Sequence, residues 1–228
     1  MSQHAIQIRR GIADSIPLFL PAIPFALVFG VVVNESGIGI WLGWSSAPLM
    51  FGGAAQITLL SLLGEGASVA AAVTAALIVS ARHLLYSVSL APSFREQPRW
   101  FRWVAPYFLL DQVFALATLR RDDDPLAFRI YFLSVGLTVW TLWMLFTILG
   151  IFLGPLIPAQ WNLYFAAPVL FTALLVTAIN RWEKAAVALV SAAVTVALAD
   201  LPNRSGLLIA ALVGIVVGLA LELRRRKT

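Results

Sequence analysis

The sequence predicts an all-α polytopic membrane protein of about eight transmembrane segments, and three observations carry that expectation. Hydrophobic residues make up 61% of the 228-residue chain and charged residues only 12%, against roughly 25% charged side chains in a soluble domain. The mean hydropathy is +0.90. The apolar residues fall into eight stretches, most of them near the ~20 residues that cross a hydrocarbon core as a helix, and Lys and Arg gather at their ends. A single membrane domain over residues 1–228, with seven or eight crossings, accounts for the length.

The first stretch, 17–33, follows Arg9 and Arg10 and so looks like a secretory signal. No small-residue cleavage site follows at Asn34, Glu35 and Ser36, and seven more stretches come after it, so it reads as the first transmembrane helix. The second, 38–63, is interrupted by Gly43, Pro48, Gly52 and Gly53. Such breakers are tolerated at membrane depth where protein or water re-satisfies the backbone, which predicts a broken second helix. The remaining stretches are 67–91, 100–119, 130–153, 161–179, 185–199 and 207–223.

The positive-inside rule places both termini in the cytoplasm, with Arg9 and Arg10 at one and Arg224, Arg225, Arg226 and Lys227 at the other. Arg120, Arg121, Arg129, Arg181 and Lys184 fall on the same side. Strict alternation, however, puts Arg95, Arg99 and Arg102 outside. Either that loop breaks the rule or a neighbouring segment is re-entrant, and the second segment is the natural suspect.

Shifting the chain by 120 residues aligns Gly30 with Gly150, Trp41 with Trp161, Ala47 with Ala167, Pro48 with Pro168 and Phe51 with Phe171. One residue further on, Ala71, Ala72, Val73, Thr74 and Leu77 meet Ala192, Ala193, Val194, Thr195 and Leu198. An internal duplication with halves 10–119 and 125–224 is expected. Repeats of this kind characterise many secondary transporters, whose sites lie between the repeats near the midplane; the alternative is a membrane scaffold whose apolar segments look alike by composition. Four crossings per half make the halves parallel, whereas a re-entrant second segment makes them inverted.

Composition also excludes several classes. Without cysteine there is no disulfide, thiolate zinc site or iron–sulfur cluster, and two histidines are too few to suggest a metal centre. No cofactor is expected. No G-x-x-x-x-G-K-[ST] loop supports ATP coupling, and nothing at informative spacing suggests an enzyme. A pI near 10.2 would point to nucleic acid in a soluble domain, but here the basic residues mark membrane boundaries and no nucleic acid is expected. Trp41, Trp100, Trp103 and Trp161 read as an interfacial belt, and Asp122, Asp123 and Asp124 as a solvated turn.

Arg82 and Asp111, with His83 beside Arg82, fall well inside apolar segments. Ionisable groups at that depth face a bundle interior or watery cavity and are functional candidates. On a helix, Arg82, Tyr86 and Ser89 form one stripe and Ser80, His83 and Ser87 an adjoining one. Asp111 shares a face with Tyr107 and Thr118, and Gln112 is turned about 100° away. Asp111 can pair with Arg82, each offsetting the other's desolvation, either as a helix staple or as a substrate-binding or gating pair. His83 is a candidate proton relay. A second candidate is Phe51 to Gln56, where Gly52 and Gly53 allow close approach to the main chain and a half-helix would aim free N–H groups at a carboxylate. Gln56 and Thr58 can add hydrogen bonds there, against the alternative that the glycines serve close helix packing.

The runs Ser15-Ile-Pro-Leu-Phe-Leu-Pro-Ala-Ile-Pro-Phe-Ala-Leu-Val-Phe-Gly30, Phe51-Gly-Gly-Ala-Ala-Gln56, Arg82-His-Leu-Leu-Tyr86 with Ser89-Leu-Ala-Pro92, and Asp111-Gln-Val-Phe-Ala115 resemble the AzlC family, the large subunits of two-component branched-chain amino acid exporters. The resemblance implies export of valine, leucine, isoleucine and often methionine across the bacterial cytoplasmic (inner) membrane. It implies coupling to the proton motive force and a small AzlD/YgaH-type membrane subunit as partner. The family's Thr-Asp-Glu in the fourth segment is replaced by Leu110-Asp111-Gln112, leaving one carboxylate there. A branched-chain amino acid needs donors for its carboxylate, which Gly52, Gly53, Gln56 and Arg82 can supply. It also needs an acceptor for its ammonium group, here Asp111, and an apolar wall, here Phe51, Phe108 and Phe114. A channel or carrier for another small solute, or a membrane scaffold, is the alternative.

Overall fold

The structure, a computed structural model, describes residues 3–156, 172, 175–176, 179–199, 201 and 205–225. The sixth apolar stretch, with Trp161, Ala167, Pro168 and Phe171 of the repeat, lies almost wholly outside the described residues, as do Arg226 and Lys227. Every regular element among the described residues is helical.

Helices α1 (Gln3–Phe19) and α2 (Ile23–Glu35) form one rod. Pro17, Pro21 and Pro24 crowd its middle, and Leu20–Ala22 tightens into a 3₁₀ turn, as expected where proline removes backbone donors. The rod packs along α9 (Pro125–Leu153), whose 29 residues span about 44 Å. Contacts climb both helices together. Tyr131 Oη donates to Asp14 Oδ2 at 2.8 Å, the Phe19 and Phe146 rings lie 5.9 Å apart, and Asn34 Nδ2 donates to the Ile151 carbonyl at 2.8 Å. The two rods therefore run parallel. Their closest approach is at Gly30 and Gly150, where a side chain on Gly30 would meet the backbone of Thr147, Gly150 and Ile151, and one on Gly150 would meet the Leu27 carbonyl. This is backbone-to-backbone packing through small residues, and it joins two glycines aligned at the expected offset of 120.

The second apolar stretch departs from the expectation of a crossing. It forms α3 (Ile40–Leu49) and α4 (Gly53–Gly64), about 15 and 18 Å long in a core about 30 Å thick. The position of a side chain on Gly43 lies 3.2 Å from Val33, and that of one on Gly64 lies 3.2 Å from Ser36, whereas Gly53 sits against Phe25. Both ends are thus at the C-terminal end of α2, and the tip lies beside its first turn, in the middle part of the α1–α2 rod. The stretch is a re-entrant hairpin. Gly37 and Gly39 at its entrance have φ of 68° and 91°, values open chiefly to glycine.

Helices α5 (Val69–Ser80) and α6 (Arg82–Arg95) make a second rod with a tightened joint at Ala81, whose N–H bonds the Ile78 carbonyl. The fourth stretch is again a hairpin, not a crossing: α7 (Arg99–Val104) continues as the 3₁₀ turn Ala105–Phe108, and α8 (Asp111–Thr118) returns. Ser93 Oγ bonds the Arg121 carbonyl and Gln97 Nε2 bonds the Pro125 carbonyl, so both ends lie at the start of α9. Asp124 caps α9, accepting from Leu126 and Ala127 N–H.

The count of eight crossings is accordingly not confirmed. Among the described residues, three rods are long and apolar enough to cross a membrane: Gln3–Glu35, Val69–Arg95 and Pro125–Leu156. The hairpins explain why: each carries a proline and a non-helical tip at mid-stretch, which leaves each arm too short to cross. They also remove the charge conflict, since Arg95, Arg99 and Arg102 come to the same end as Arg9, Arg10, Arg120, Arg121 and Arg129, while Glu35 and Glu65 lie at the other. Beyond α9, helices α10 (Trp182–Ala197) and α11 (Ser205–Arg225) pack on each other, and α11 touches α5.

Candidate functional site

The two hairpin tips meet half-way along α9, at the level of Trp140 and Trp143. Met50, Phe51 and Gly52 form the first tip, and Leu109 and Leu110 the second. Phe51 packs against Tyr107 and Phe108, with ring centroids 5.9 and 6.5 Å away. Tyr107 Oη donates to the Pro48 carbonyl at 2.6 Å and accepts from Trp140 Nε1 at 2.9 Å.

Beside this junction lies the charged cluster. Arg82 Nη1 and Asp111 Oδ2 are 3.0 Å apart, and Tyr86 Oη donates to Asp111 Oδ1 at 2.8 Å. The Tyr86 ring stacks on Phe114 at 4.4 Å and meets His83 edge-on at 6.0 Å. The expected Arg82–Asp111 pairing is therefore present, joined by Tyr86, the stripe-mate of Arg82. The Arg82 and Asp111 side chains are 36% and 47% exposed, so this centre is open on one side. Gln112 follows on α8, half-buried, and is not joined to this network.

The glycine segment divides into two roles. A side chain on Gly52 would meet His83 Cε1 at 3.6 Å, an ordinary contact, so Gly52 borders the charged cluster with room to spare. A side chain on Gly53 would run into the Trp143 and Phe25 rings, so Gly53 serves packing. Gln56 is fully buried, and its Nε2 donates to the carbonyls of Ser46, Ala47 and Met50 at 2.9, 3.2 and 2.9 Å. Those carbonyls lie at the C-terminal end of α3, where helical N–H partners run out; the Ser46 carbonyl also accepts from Met50 N–H at 2.9 Å. The Gln56 amide thus fastens the hairpin arms and is not a donor for a carboxylate. Thr58 likewise spends its hydroxyl proton on the Ala54 carbonyl at 2.8 Å.

Helices α4 and α8 both begin at this depth, with no side-chain cap on either N-terminus. Each N-terminus carries about half a positive charge. Added to one Arg82 and one Asp111, they leave the centre net positive. Arg82 Nε, His83 Nε2, Gln56 Oε1 and Trp143 Nε1 are buried there without a hydrogen-bond partner. Among the described residues no group of three His, Cys, Asp or Glu could hold a metal ion.

Sequence reasoning missed Trp140, Trp143 and Phe25, and it gave Tyr107 no role of its own. Trp140 and Trp143 carry a legible signal: two indoles one turn apart in the middle of a long apolar helix, away from the interfaces where tryptophan ordinarily sits.

Residues 17–157 match the family described as AzlC protein. The chain is 28% identical over 220 residues to the inner membrane protein YgaZ of Escherichia coli, covering 91% of this chain and 86% of that one. It is 26% identical over 211 residues to a membrane protein of Archaeoglobus fulgidus, covering 90% and 91%. A membrane protein of Helicobacter pylori is 24% identical over 143 residues, 61% of either chain. No solved structure matches the chain.

Proposed function

We propose that this chain, which belongs to the AzlC family, is the large subunit of a secondary transporter that exports branched-chain amino acids, with methionine as a further substrate, across the cytoplasmic membrane. The observation that carries the reading is the net positive polar centre at mid-depth, where two uncapped half-helix N-termini, Arg82 and His83 surround one carboxylate. A zwitterion fits a centre that offers donors and positive ends for its carboxylate and one carboxylate for its ammonium group. Its carboxylate goes to the first-turn N–H groups of α4 beside Gly52 and His83, its ammonium group to Asp111, and its branched side chain to Phe114 and the Tyr86 ring.

Gln56 and Thr58 support this site from behind, and Gln112 stands beside it. The basic end of the bundle is the cytoplasmic one by the positive-inside rule, so the first hairpin enters from outside and the second from the cytoplasm. Asp111, His83 and Tyr86 are the groups through which a proton gradient would drive the cycle. A small AzlD/YgaH-type subunit completes the transporter by covering the open side of the Arg82–Asp111 centre, because an ion pair facing acyl chains is costly.

The experiment loads cells with dipeptides of valine, leucine, isoleucine or methionine and follows the free amino acid leaving. Deleting this gene and its small partner should raise retention of at least one of the four, and only both genes together should restore export. Unchanged efflux of all four refutes the substrate assignment.

A further inference from the structure

The two hairpins are built alike and enter from opposite ends. Trp41 and Trp44 precede Ala47-Pro48 in the first, Trp100 and Trp103 precede Ala105-Pro106 in the second, and Gln56 on the first returning helix has its counterpart in Gln112 on the second. Each hairpin follows a rod, α1–α2 running toward the acidic end and α5–α6 running back. Residues 3–118 are therefore two copies of one rod-and-hairpin unit in opposite orientation, a repeat distinct from the duplication expected at an offset of 120. Inverted units underlie alternating access around a midplane site in many transporters.

The tips close on each other through an apolar seal of Phe51, Tyr107 and Phe108. Among the described residues, one hydrogen bond joins the two hairpins, from Tyr107 Oη to the Pro48 carbonyl. That carbonyl belongs to the last turn of α3, where Gln56 from the same hairpin already serves Ser46, Ala47 and Met50. Pro48 depends on the opposite hairpin. Trp140 on the fixed helix α9 donates to the same hydroxyl, occupying a lone pair and leaving the phenolic proton directed at Pro48.

The geometry points to a gate made of the two hairpin tips, with Tyr107 as its latch: a positioning residue that holds the seal shut between openings toward either side. This rests on the transport reading, but its test does not need the cargo. The chain has no native cysteine, so Phe51→Cys in the full-length protein in native membranes is a single reporter of the seal for a hydrophilic maleimide. Adding Tyr107→Phe, which keeps the ring and removes the hydroxyl, should speed labelling by about fivefold to tenfold, the ratio expected for one lost hydrogen bond of ~1–1.4 kcal/mol. Trp140→Phe should raise it less. An Ile57→Cys reporter, buried one turn inside α4, should label no faster with Tyr107→Phe than without it.

Unchanged labelling at position 51 overturns the latch. A parallel rise at 57 also overturns it, because that is general loosening. If Phe51→Cys does not accumulate, Phe108→Cys on the opposite tip is read in its place against the same outcomes. Retention of all four amino acids unaffected by deletion, with the labelling difference present, would refute the cargo and leave the gate standing.

Discussion

The α2–α9 crossing and the α5–α6 rod are both membrane-length and apolar, yet they are packed in opposite ways. In α9, 44% of the most apolar window is buried, and in the α1–α2 rod 33%, against 11% in α5–α6. The first pair meets at glycines with backbone against backbone. The α5–α6 rod carries Arg82 and His83, has a tightened joint at Ala81, and leaves Leu77, Leu84, Leu85 and Val88 exposed. The contrast is one of packing, a close-packed pair against a loosely packed rod, and it predicts a frame in the first and movement in the second, because close-packed interfaces resist gradual deformation.

The sharpest test of the comparison is to damage the frame. Gly30→Leu has only backbone to push against, and overpacking a tight interface ordinarily costs about 1–3 kcal/mol and more where backbone must move. Most of the protein should disappear from membranes, measured as folded, detergent-soluble chain. A nearly as large insertion in the loose rod, Ala81→Leu at the joint, should leave folded protein near wild type; if the two variants accumulate alike, the division into frame and moving part is wrong.

Damage to the polar centre should spare the fold and remove the activity. Arg82→Ala and Asp111→Asn should each lower export more than tenfold at near-normal protein levels. An apolar replacement of both, Arg82→Met with Asp111→Leu, should restore any lost protein without restoring export, since a paired charge that only staples helices can be replaced by apolar residues. Export near wild type in that double variant would reduce the pair to architecture.

The adjacent glycines give a smaller and more local contrast. Gly53→Ala should lower thermal stability, because Trp143 and Phe25 occupy the space its side chain needs. Gly52→Ala should leave stability within about 0.5 kcal/mol while weakening export. Smallest of all is Thr58→Val, which removes one intrahelical hydrogen bond and should cost about 1 kcal/mol or less, with export nearly unchanged. A large loss of export in Thr58→Val would return that hydroxyl to the substrate.

Much of the candidate site could be read from residue type alone. A charge in an apolar stretch must find a partner or water, so Arg82 and Asp111 announce themselves wherever they stand, and the helical period already placed Tyr86 beside Arg82. Glycine is less legible, because one residue type answers both to ligand approach and to packing. Only the neighbours, with room beside His83 at Gly52 and the Trp143 ring against Gly53, show which of the two packing requires. Gln56 was legible as polar and buried but not as a hairpin fastener, since its partners are backbone carbonyls, which every residue carries.

By itself the sequence determined that the chain is helical and membrane-bound, where its apolar stretches start and stop, that the second is broken, and which ionisable groups lie at depth. These follow from local chemistry: hydrocarbon accepts no unpaired backbone group, and each residue declares its own transfer cost. The tertiary structure decided that two of the stretches turn back, that the Arg95 to Arg102 loop lies with the other basic ends, and that opposed tips meet at Tyr107 and Pro48. Hydropathy is a sum along the chain and is the same for a helix that crosses and a hairpin that returns. Direction is set instead by what each arm packs against, Ser36 beside Gly64 and Pro125 beside Gln97, contacts between residues far apart in sequence.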